Sequence, residues 1–229
     1  MRISICIPCM NRTHDLRQAM PSLVAAANAS PPVEIAVLDY NSQDDLGAFV
    51  LETQQGTEFV SGSELSYKKY AGRNYYHMAH ARNLSVLASY GEYALISSAD
   101  VLMQRDYLKV VRAELEKGYV WLHHSDRFVG VICVERQEFM EAGGFDERFE
   151  FYGKEDKDLL ARLVRRGASH AQIPDLLSLI PTPWHEKLRN YRTSLSRCQM
   201  SKLSKATYQQ NMREGILVAN AGTEWARWE

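Results

Sequence analysis

Short apolar runs alternate with helical segments along most of this chain, and this alternation constrains the fold more than any other feature. Residues 3–8 form an apolar run closed by Pro8, and a helix rich in alanine and leucine is predicted to follow as far as Asn28. Residues 33–39 repeat the pattern as a buried strand, and the loop at residues 41–45 begins a second helix. Strands that alternate with helices form mostly parallel sheets covered on both faces, so the sequence predicts an α/β fold.

The alternation continues as far as about residue 185. Further strands are predicted at residues 58–60, 93–96, 119–122 and 129–134, and further helices at residues 77–90, at residues 105–117 and from about Lys154 to a stop at Gly167. Residues 66–76 interrupt the pattern as a polar stretch rich in tyrosine. Asp100 follows the strand at residues 93–96, at the edge where open α/β sheets hold their ligands. We therefore expect Asp100 to lie in a binding site.

The length of the chain and its charge limit the number of domains and the classes of partner. A chain of 229 residues can bury one substantial core, so we expect one domain with a tail. The formal net charge of −1 gives no overall attraction to nucleic acid or to a membrane. No apolar run is long enough to span a membrane, and the N-terminus enters a strand-like pattern rather than a signal peptide. The expected location is cytoplasmic, where the four cysteines would be reduced thiols.

Residues 186–229 lose the alternation and form a tail that is predicted to pack on the domain or to extend from it. The tail is predicted to be helical, and it is basic as far as Arg213, with the cationic residues Lys187, Arg189, Arg192, Arg197, Lys202, Lys205 and Arg213. Such a segment could contact nucleic acid or an anionic membrane surface, or it could be a solvated basic surface with no partner.

Residues 143–163 combine glycines, aromatic side chains and carboxylates at high density. Glu155, Asp156 and Asp158 open the helix that is predicted to begin near Lys154. The helix dipole favours acidic side chains in a first turn, so this position fits a structural role. It also fits a catalytic role, because a carboxylate at a helix N-terminus can accept the proton of a reacting hydroxyl group. The spacing by itself leaves both interpretations open.

The residue order of this segment resembles the acceptor-side motif of the galactosyltransferase and chondroitin-polymerase group of GT-A fold glycosyltransferases. That motif runs Gly-Gly-Phe-Asp-Glu and then Trp-Gly-x-Glu-Asp-x-Asp-Leu, and Tyr152 stands here in place of its Trp. The resemblance implies a Rossmann-like GT-A domain in which Asp156 is the general base of an inverting transfer and Glu155 is a second catalytic residue beside it. It also implies that Tyr152, Gly153 and Asp158 contact the acceptor.

The N-terminal half resembles the donor side of family 2 glycosyltransferases. Residues 3–8 with Asn11 and Arg12 look like the family's first strand and nucleotide loop. Residues 34–44 resemble its Val-Asp-Asp-Gly-Ser-x-Asp loop, with Tyr40 in place of the second Asp. Ala81-Arg82-Asn83 ahead of Gly91-Glu92-Tyr93 resembles a helix and strand that would turn Arg82 toward the donor, although a solvated helix face is the alternative interpretation. The implied donor-binding residues are Pro8, Asn11, Arg12, Asp39, Asn41, Arg82, Ser98 and Asp100.

The metal motif of these enzymes, Asp-x-Asp, appears here as Ser98-Ala99-Asp100, which lacks the first acid and keeps the last. His185 matches the family's second metal ligand, although a lone histidine is more often a packing or surface residue. The resemblance implies a divalent ion, Mn²⁺ or Mg²⁺, held by Asp100 and His185 against the donor's diphosphate. Trp184 adjoins His185 and is the best aromatic candidate for stacking against the acceptor.

These resemblances together imply an inverting, metal-dependent glycosyltransferase that moves a sugar from a nucleotide diphosphosugar, a UDP-sugar by resemblance, to an acceptor hydroxyl. Residues 1–185 would form the domain, with residues 1–103 binding the nucleotide sugar and residues 104–185 binding the acceptor. Two other classes stay open: a nucleotidyltransferase, and a non-catalytic module that binds sugar nucleotides or glycans. The acceptor could be a glycan, a lipid-linked sugar, a protein side chain or a hydroxylated base in DNA.

Overall fold

A seven-stranded central sheet organises the computed structural model, which describes residues 1–228. In chain order the strands are β1 (Ile3–Cys9), β2 (Val33–Tyr40), β3 (Glu64–Tyr70), β4 (Tyr93–Ile96), β5 (Val101–Met103), β6 (Trp121–His123), β7 (Ile132–Glu135), β8 (His170–Gln172) and β9 (Leu177–Leu179). The order across the central sheet is β3-β2-β1-β4-β7-β6-β8, and β5 pairs with β9 outside it. Only β7 runs antiparallel to its neighbours β4 and β6. The predicted α/β fold with a mostly parallel sheet is confirmed.

Helices cover both faces of this sheet. They are α1 (Thr13–Ala29), α2 (Leu46–Gly56), α3 (Met78–Ala88), α4 (Tyr107–Leu115), α5 (Arg136–Glu141), α6 (Glu155–Arg165), α7 (Trp184–Leu188) and α8 (Arg197–Glu214). Successive side chains of a strand point to opposite faces, so Ile5 and Ile7 of β1 enter the core that includes α1, α2 and α4, whereas Cys6 enters the core formed with α3, α5 and α6. Because both faces are buried, β1 reads as a continuous apolar run.

The strand predicted at residues 58–60 is wrong. Residues 57–63 connect α2 to β3, and the strand itself lies in the segment that reads as polar and rich in tyrosine. Its position at the edge of the sheet explains the misreading, because an edge strand keeps polar side chains in solvent. Leu65 and Tyr70 are buried, whereas Lys68 and Lys69 between them are exposed.

The C-terminal segment packs against the acidic helix α6. The amide Nδ2 of Asn211, on α8, donates to carboxylate oxygens of Asp158 and Asp146, each at 2.8 Å. Farther along, the backbone N–H of Ala219 donates to the carbonyl oxygen of Ala142 at 3.0 Å. Within residues 1–228, every helix is too short or too polar to cross a membrane.

Two glycines make room for this packing. Gly143 and Gly144 have φ values of +72° and +63°, which favour glycine, and a Cβ on Gly143 would overlap the carbonyl oxygen of Ala219. The residue after these glycines, Phe145, is bound to Asn83 of α3 by two hydrogen bonds. Asn83 Oδ1 accepts from the Phe145 N–H at 2.8 Å, and Asn83 Nδ2 donates to the Phe145 carbonyl at 2.9 Å. The Gly-Gly-Phe part of the motif is therefore a packing element that joins α3, α6 and the C-terminal segment.

Candidate active site

A pocket of about 430 Å³ opens where the carboxyl ends of β1 and β4 meet. Pro8 lies near the end of β1, and residues 97–100 follow β4, so the pocket occupies the edge at which open α/β sheets bind ligands. Residues from α3, α6, α7 and the segment that follows α7 complete its wall. The predicted site residues that line it are Pro8, Arg12, Arg82, Ser98, Asp100, Tyr152, Gly153, Glu155, Asp156 and Trp184.

The carboxylates at the start of α6 form one wall of the pocket. Gly153 and Lys154 have φ values of +100° and +74°, and this left-handed turn leads the chain directly into the first turn of α6. Glu155 is buried, whereas the neighbouring Asp156 is half-buried. Both line the pocket, and the backbone N–H groups of this helix end favour negative charge there.

Arg82 joins this acidic wall from α3. Its guanidinium Nη1 donates to Oε1 of Glu155 at 3.2 Å, and its Cζ lies 5.2 Å from the centroid of the Phe145 ring. A Cβ at position 130 would stand 2.9 Å from Nη2 of Arg82, so Gly130 leaves the space that this side chain occupies. Arg82 therefore faces the pocket rather than solvent.

The two acids at this wall differ in their environments. Burial, and next the charge of Asp156, raises the pKa of Glu155 to about 7, although the charge of Arg82 acts in the opposite direction. Among the residues that the structure describes, none hydrogen-bonds Oε2 of Glu155, and this buried oxygen adds to the cost of ionising the group. Asp156 is the more exposed of the two.

Asp100 lies in a cluster of polar and cationic groups at the end of β4. Its Oδ1 accepts from Ser98 Oγ at 2.7 Å, and its Oδ2 accepts from Lys187 Nζ at 2.6 Å and from Arg12 Nη2 at 3.4 Å. Burial disfavours the charged carboxylate, but the hydrogen bond and charge of Lys187, followed by Ser98 and Arg12, hold the pKa of Asp100 below its ordinary value. Asp15 forms an ion pair with Arg12 on the side of α1.

Aromatic and cationic side chains form the part of the pocket near α7. The rings of Tyr152 and Trp184 meet edge to face with centroids 4.6 Å apart. The guanidinium of Arg197, at the start of α8, lies 4.4 Å from the Trp184 centroid and 5.5 Å from that of Tyr152. The two rings are therefore nearly perpendicular and the guanidinium lies over both, so this part of the pocket combines aromatic surface with positive charge.

Three predicted donor residues do not line the pocket, and they hold the neighbouring loops together instead. Asn11 Oδ1 accepts from the Gln43 N–H at 2.7 Å, and Asn41 Nδ2 donates to the Arg73 carbonyl at 2.9 Å. Asp39 is buried and accepts from the Ser42 N–H and the Tyr67 hydroxyl, each at 2.7 Å. In this structure they support the loops after β1 and β2.

Asp158 also lies outside the pocket, and the expected acceptor contact is corrected. Its side chain is 2% exposed, and its Oδ2 accepts from Nε of Arg162 at 2.8 Å, one turn farther along α6. Its Oδ1 accepts from Asn211. The last acid of the motif is therefore bound inside the protein, where it fastens α6 to α8.

His185 does not meet Asp100, which corrects the expected pair of metal ligands. The residue is exposed on α7 and is absent from the pocket wall, whereas Lys187 of the same helix reaches Asp100. Mg²⁺ is usually bound by one or two carboxylates together with waters and substrate phosphates, but at Asp100 one carboxylate oxygen accepts from Lys187 and Arg12 and the other from Ser98. Within residues 1–228 no three His, Cys, Asp or Glu side chains are grouped to hold such an ion. The donor atoms around Asp100 therefore do not fit the expected metal site.

Several pocket residues were missed because they lie in the segment predicted as a tail. They are Lys187, Asn190, Tyr191 and Arg197. Asn190 Nδ2 donates to the Met10 carbonyl at 2.7 Å and its Oδ1 accepts from Asn11, so the segment closes over the loop after β1. The concentration of cationic residues was the available signal, but it does not show which of them face inward. Lys202, Lys205 and Arg213 are exposed, and a nucleic acid or membrane contact through them stays a prediction.

Known glycosyltransferase structures have the same fold. A mannosyltransferase from Pyrobaculum calidifontis in complex with GDP-Man and Mn²⁺ superposes with a TM-score of 0.65 at 16% identity, over 94% of this chain and 72% of that chain. S. aureus TarS in complex with UDP superposes with a TM-score of 0.61 at 13% identity, over 93% of this chain and 72% of that chain. In the alignment with another TarS structure, this chain spans 58% of that chain's length. Glucosyl-3-phosphoglycerate synthase from Mycobacterium tuberculosis, in complex with Mn²⁺, UDP and phosphoglyceric acid, gives 0.59 at 15% identity, over 96% and 80%.

The fold is that of GT-A glycosyltransferases, and the sequence agrees at the level of the family. The pattern of Glycosyl transferase family 2 matches residues 4–171, so the chain belongs to that family. Among curated proteins, none matches the sequence significantly. Membership of this family supports a glycosyltransferase that uses a nucleotide sugar, rather than the nucleotidyltransferase or the non-catalytic binding module.

Proposed function

We propose that this glycosyltransferase moves a sugar from a UDP-sugar to an acceptor hydroxyl with inversion, and that Asp156 is the general base. The observation that carries the proposal is that a half-buried carboxylate at the start of α6 shares one pocket with the polar cluster around Asp100. In this proposal the base for the acceptor and the groups for the leaving diphosphate share one cavity. The choice of UDP follows the resemblance and the UDP complexes of two similar structures.

The start of α6 suits Asp156 to this role. An ionised carboxylate is favoured at a helix N-terminus, and its pocket-facing position lets a hydroxyl approach it. Glu155 contributes through the fold, because its bond to Arg82 joins α6 to α3. Burial favours the neutral form of Glu155, and a neutral Glu155 adds no repulsion to an ionised Asp156 beside it.

In the proposed step, the acceptor oxygen attacks the anomeric carbon of the donor while its proton passes to the Asp156 carboxylate. The bond between that carbon and the diphosphate oxygen breaks, and its electron pair leaves with the nucleoside diphosphate. Attack from the side opposite the leaving group inverts the anomeric centre. Tyr152 and Trp184, whose rings meet edge to face, offer aromatic surface against which an acceptor ring can pack.

A donor screen and one substitution test this proposal. Intact protein is incubated with UDP-, GDP-, CDP- and ADP-sugars, and released nucleoside diphosphate and pyrophosphate are both measured. We expect UDP release with a mass gain on the acceptor. Asp156→Asn should lower transfer by about 10²–10⁴-fold, the usual contribution of a general base, while UDP binding measured by calorimetry stays close to wild type.

Asp126→Asn is the matched control, because Asp126 is also an acid of the pocket rim but is exposed and paired with Lys157. This variant should keep most of the activity. Full activity in Asp156→Asn would remove Asp156 from its assigned role, and release of pyrophosphate in place of UDP would overturn the reaction itself.

A further inference from the structure

Two cationic side chains of the pocket, those of Lys187 and Arg12, contact the carboxylate of Asp100. Lys187 Nζ lies 2.6 Å from Asp100 Oδ2, and Arg12 Nη2 reaches the same oxygen at 3.4 Å. The side chain of Asp100 is 9% exposed, so this is a partly desolvated ion pair in which Coulomb attraction is less screened than at a surface. All three residues line the pocket.

Neighbouring parts of the fold hold these two cations beside Asp100. Arg12 is held from α1 by its ion pair with Asp15 and donates to Thr182 Oγ1 at 3.2 Å. Thr182 in turn donates to Asp15 at 2.7 Å. Lys187 lies on α7, which begins two residues after Thr182. The loop that carries Thr182 therefore contacts Arg12 and leads directly into the helix that carries Lys187.

The carboxylate of Asp100 by itself would repel a diphosphate. In a metal-dependent transferase a divalent ion placed between the two removes this repulsion and neutralises the charge of the leaving group. Here one carboxylate oxygen of Asp100 accepts from Lys187 and Arg12 and the other accepts from Ser98, and His185 is exposed.

We propose that Lys187, assisted by Arg12, provides the positive charge that binds the donor's diphosphate in this enzyme, in place of a divalent ion held by Asp100. Lys187 acts electrostatically and transfers no proton: it balances Asp100 in the free protein and attracts the diphosphate when the donor enters. The inference rests on the proposed function, since it requires a nucleotide diphosphosugar as donor.

UDP binding, measured by calorimetry with either EDTA or Mn²⁺ present, tests the inference without relying on turnover. Wild-type protein should bind UDP in EDTA, with an affinity that Mn²⁺ changes little. Lys187→Met should weaken UDP binding in EDTA by at least about 10-fold, because the Asp100 charge beside the diphosphate is then balanced only by the more distant Arg12. Binding of uridine, which carries no phosphate, should be the same in both proteins by ligand-observed NMR.

Asp100→Asn separates the two explanations. If a metal ion held by Asp100 binds the diphosphate, this variant loses UDP affinity. If Lys187 and Arg12 do so, the variant binds UDP as well as wild type or more tightly, because both cations lose a competing anion. Lys109→Met, which changes an exposed lysine of α4 that pairs with Asp106, is the matched control and should behave as wild type.

The outcomes distinguish this inference from the proposed function. UDP binding by wild type that requires Mn²⁺, or a Lys187→Met protein that binds UDP as wild type does, overturns the role of Lys187 and leaves the transfer reaction standing. A wild-type protein that binds neither UDP nor GDP under either condition overturns both. Unfolding temperatures by circular dichroism confirm that each variant is folded, and Lys187 is partly exposed on a short helix, where substitution leaves the core intact.

Discussion

Asp158→Ala is expected to destabilise this protein strongly while leaving UDP binding nearly unchanged. The side chains of Asp158 and Arg162 are 2% and 1% exposed, and they form an ion pair at 2.8 Å. Without this carboxylate the Arg162 guanidinium stays buried. Its remaining hydrogen-bond partners among the described residues are the carbonyl oxygens of Ala142 and Gly144, which carry no charge. The substitution would also remove one acceptor of the Asn211 amide.

The magnitude follows from the burial of this pair. Breaking a buried ion pair by removing one partner costs about 3–5 kcal/mol, because an uncompensated charge stays inside the protein. For a protein of this size each 1 kcal/mol lowers Tm by about 2–4 °C, so Tm should fall by roughly 6–20 °C. Urea unfolding at 25 °C, followed by circular dichroism, measures the free energy directly. Asp126→Ala removes an exposed acid and should cost less than about 1 kcal/mol.

A second substitution checks the reasoning. Arg162→Met added to Asp158→Ala removes the charge that the first change strands, so the double variant should lose less stability than the sum of the two single variants. An Asp158→Ala protein with wild-type stability and a raised KM for the acceptor would refute the structural role and restore the acceptor contact that the motif implies.

Two further predictions concern Gly143, which packs against the C-terminal segment, and Glu155, which lines the pocket. Gly143→Ala should lower the free energy of unfolding by at least about 1 kcal/mol, since it adds a Cβ at φ +72° against the Ala219 carbonyl, whereas Gly118→Ala, at φ +91° with open space around it, should show the backbone strain alone. Glu155 has a pKa raised from 4.5 to about 7, so its contribution to stability is fully present below pH 4.5 and is lost as pH rises to about 7. Relative to wild type, Glu155→Gln should therefore gain stability in urea unfolding as pH rises from 5 to 8, and a pH-independent difference would show that the shift is absent.

The sequence predicted those features that depend on local pattern. Apolar runs with both faces buried, such as residues 3–8, identify strands of a parallel sheet, and acids in a first helical turn identify the start of α6. Asp100 follows β4 directly, so its place at the pocket edge follows from the strand alone. In each case the signal lies within a few residues along the chain.

Tertiary structure decided what each chemical group faces. Glu155, Asp156 and Asp158 are all acids of one helical turn, yet the first two enter the pocket and the third is buried against Arg162 and α8. The edge position of β3, which hides its strand pattern, likewise depends on which strands pair. A motif gives the residue types, but a helix turns by about 100° per residue, and only its packing determines the direction of each side chain.

The contacts of Asp100 also could not be predicted from the sequence, because its partner is far away along the chain. Lys187 is 87 positions away from Asp100, and it lies two residues after His185, which the motif implied as a metal ligand. Both residues were visible in the sequence, one as a ligand and the other as part of a basic tail. Which of them reaches the carboxylate depends on how α7 packs over the ends of β1 and β4, and spacing along the chain carries no information on that contact.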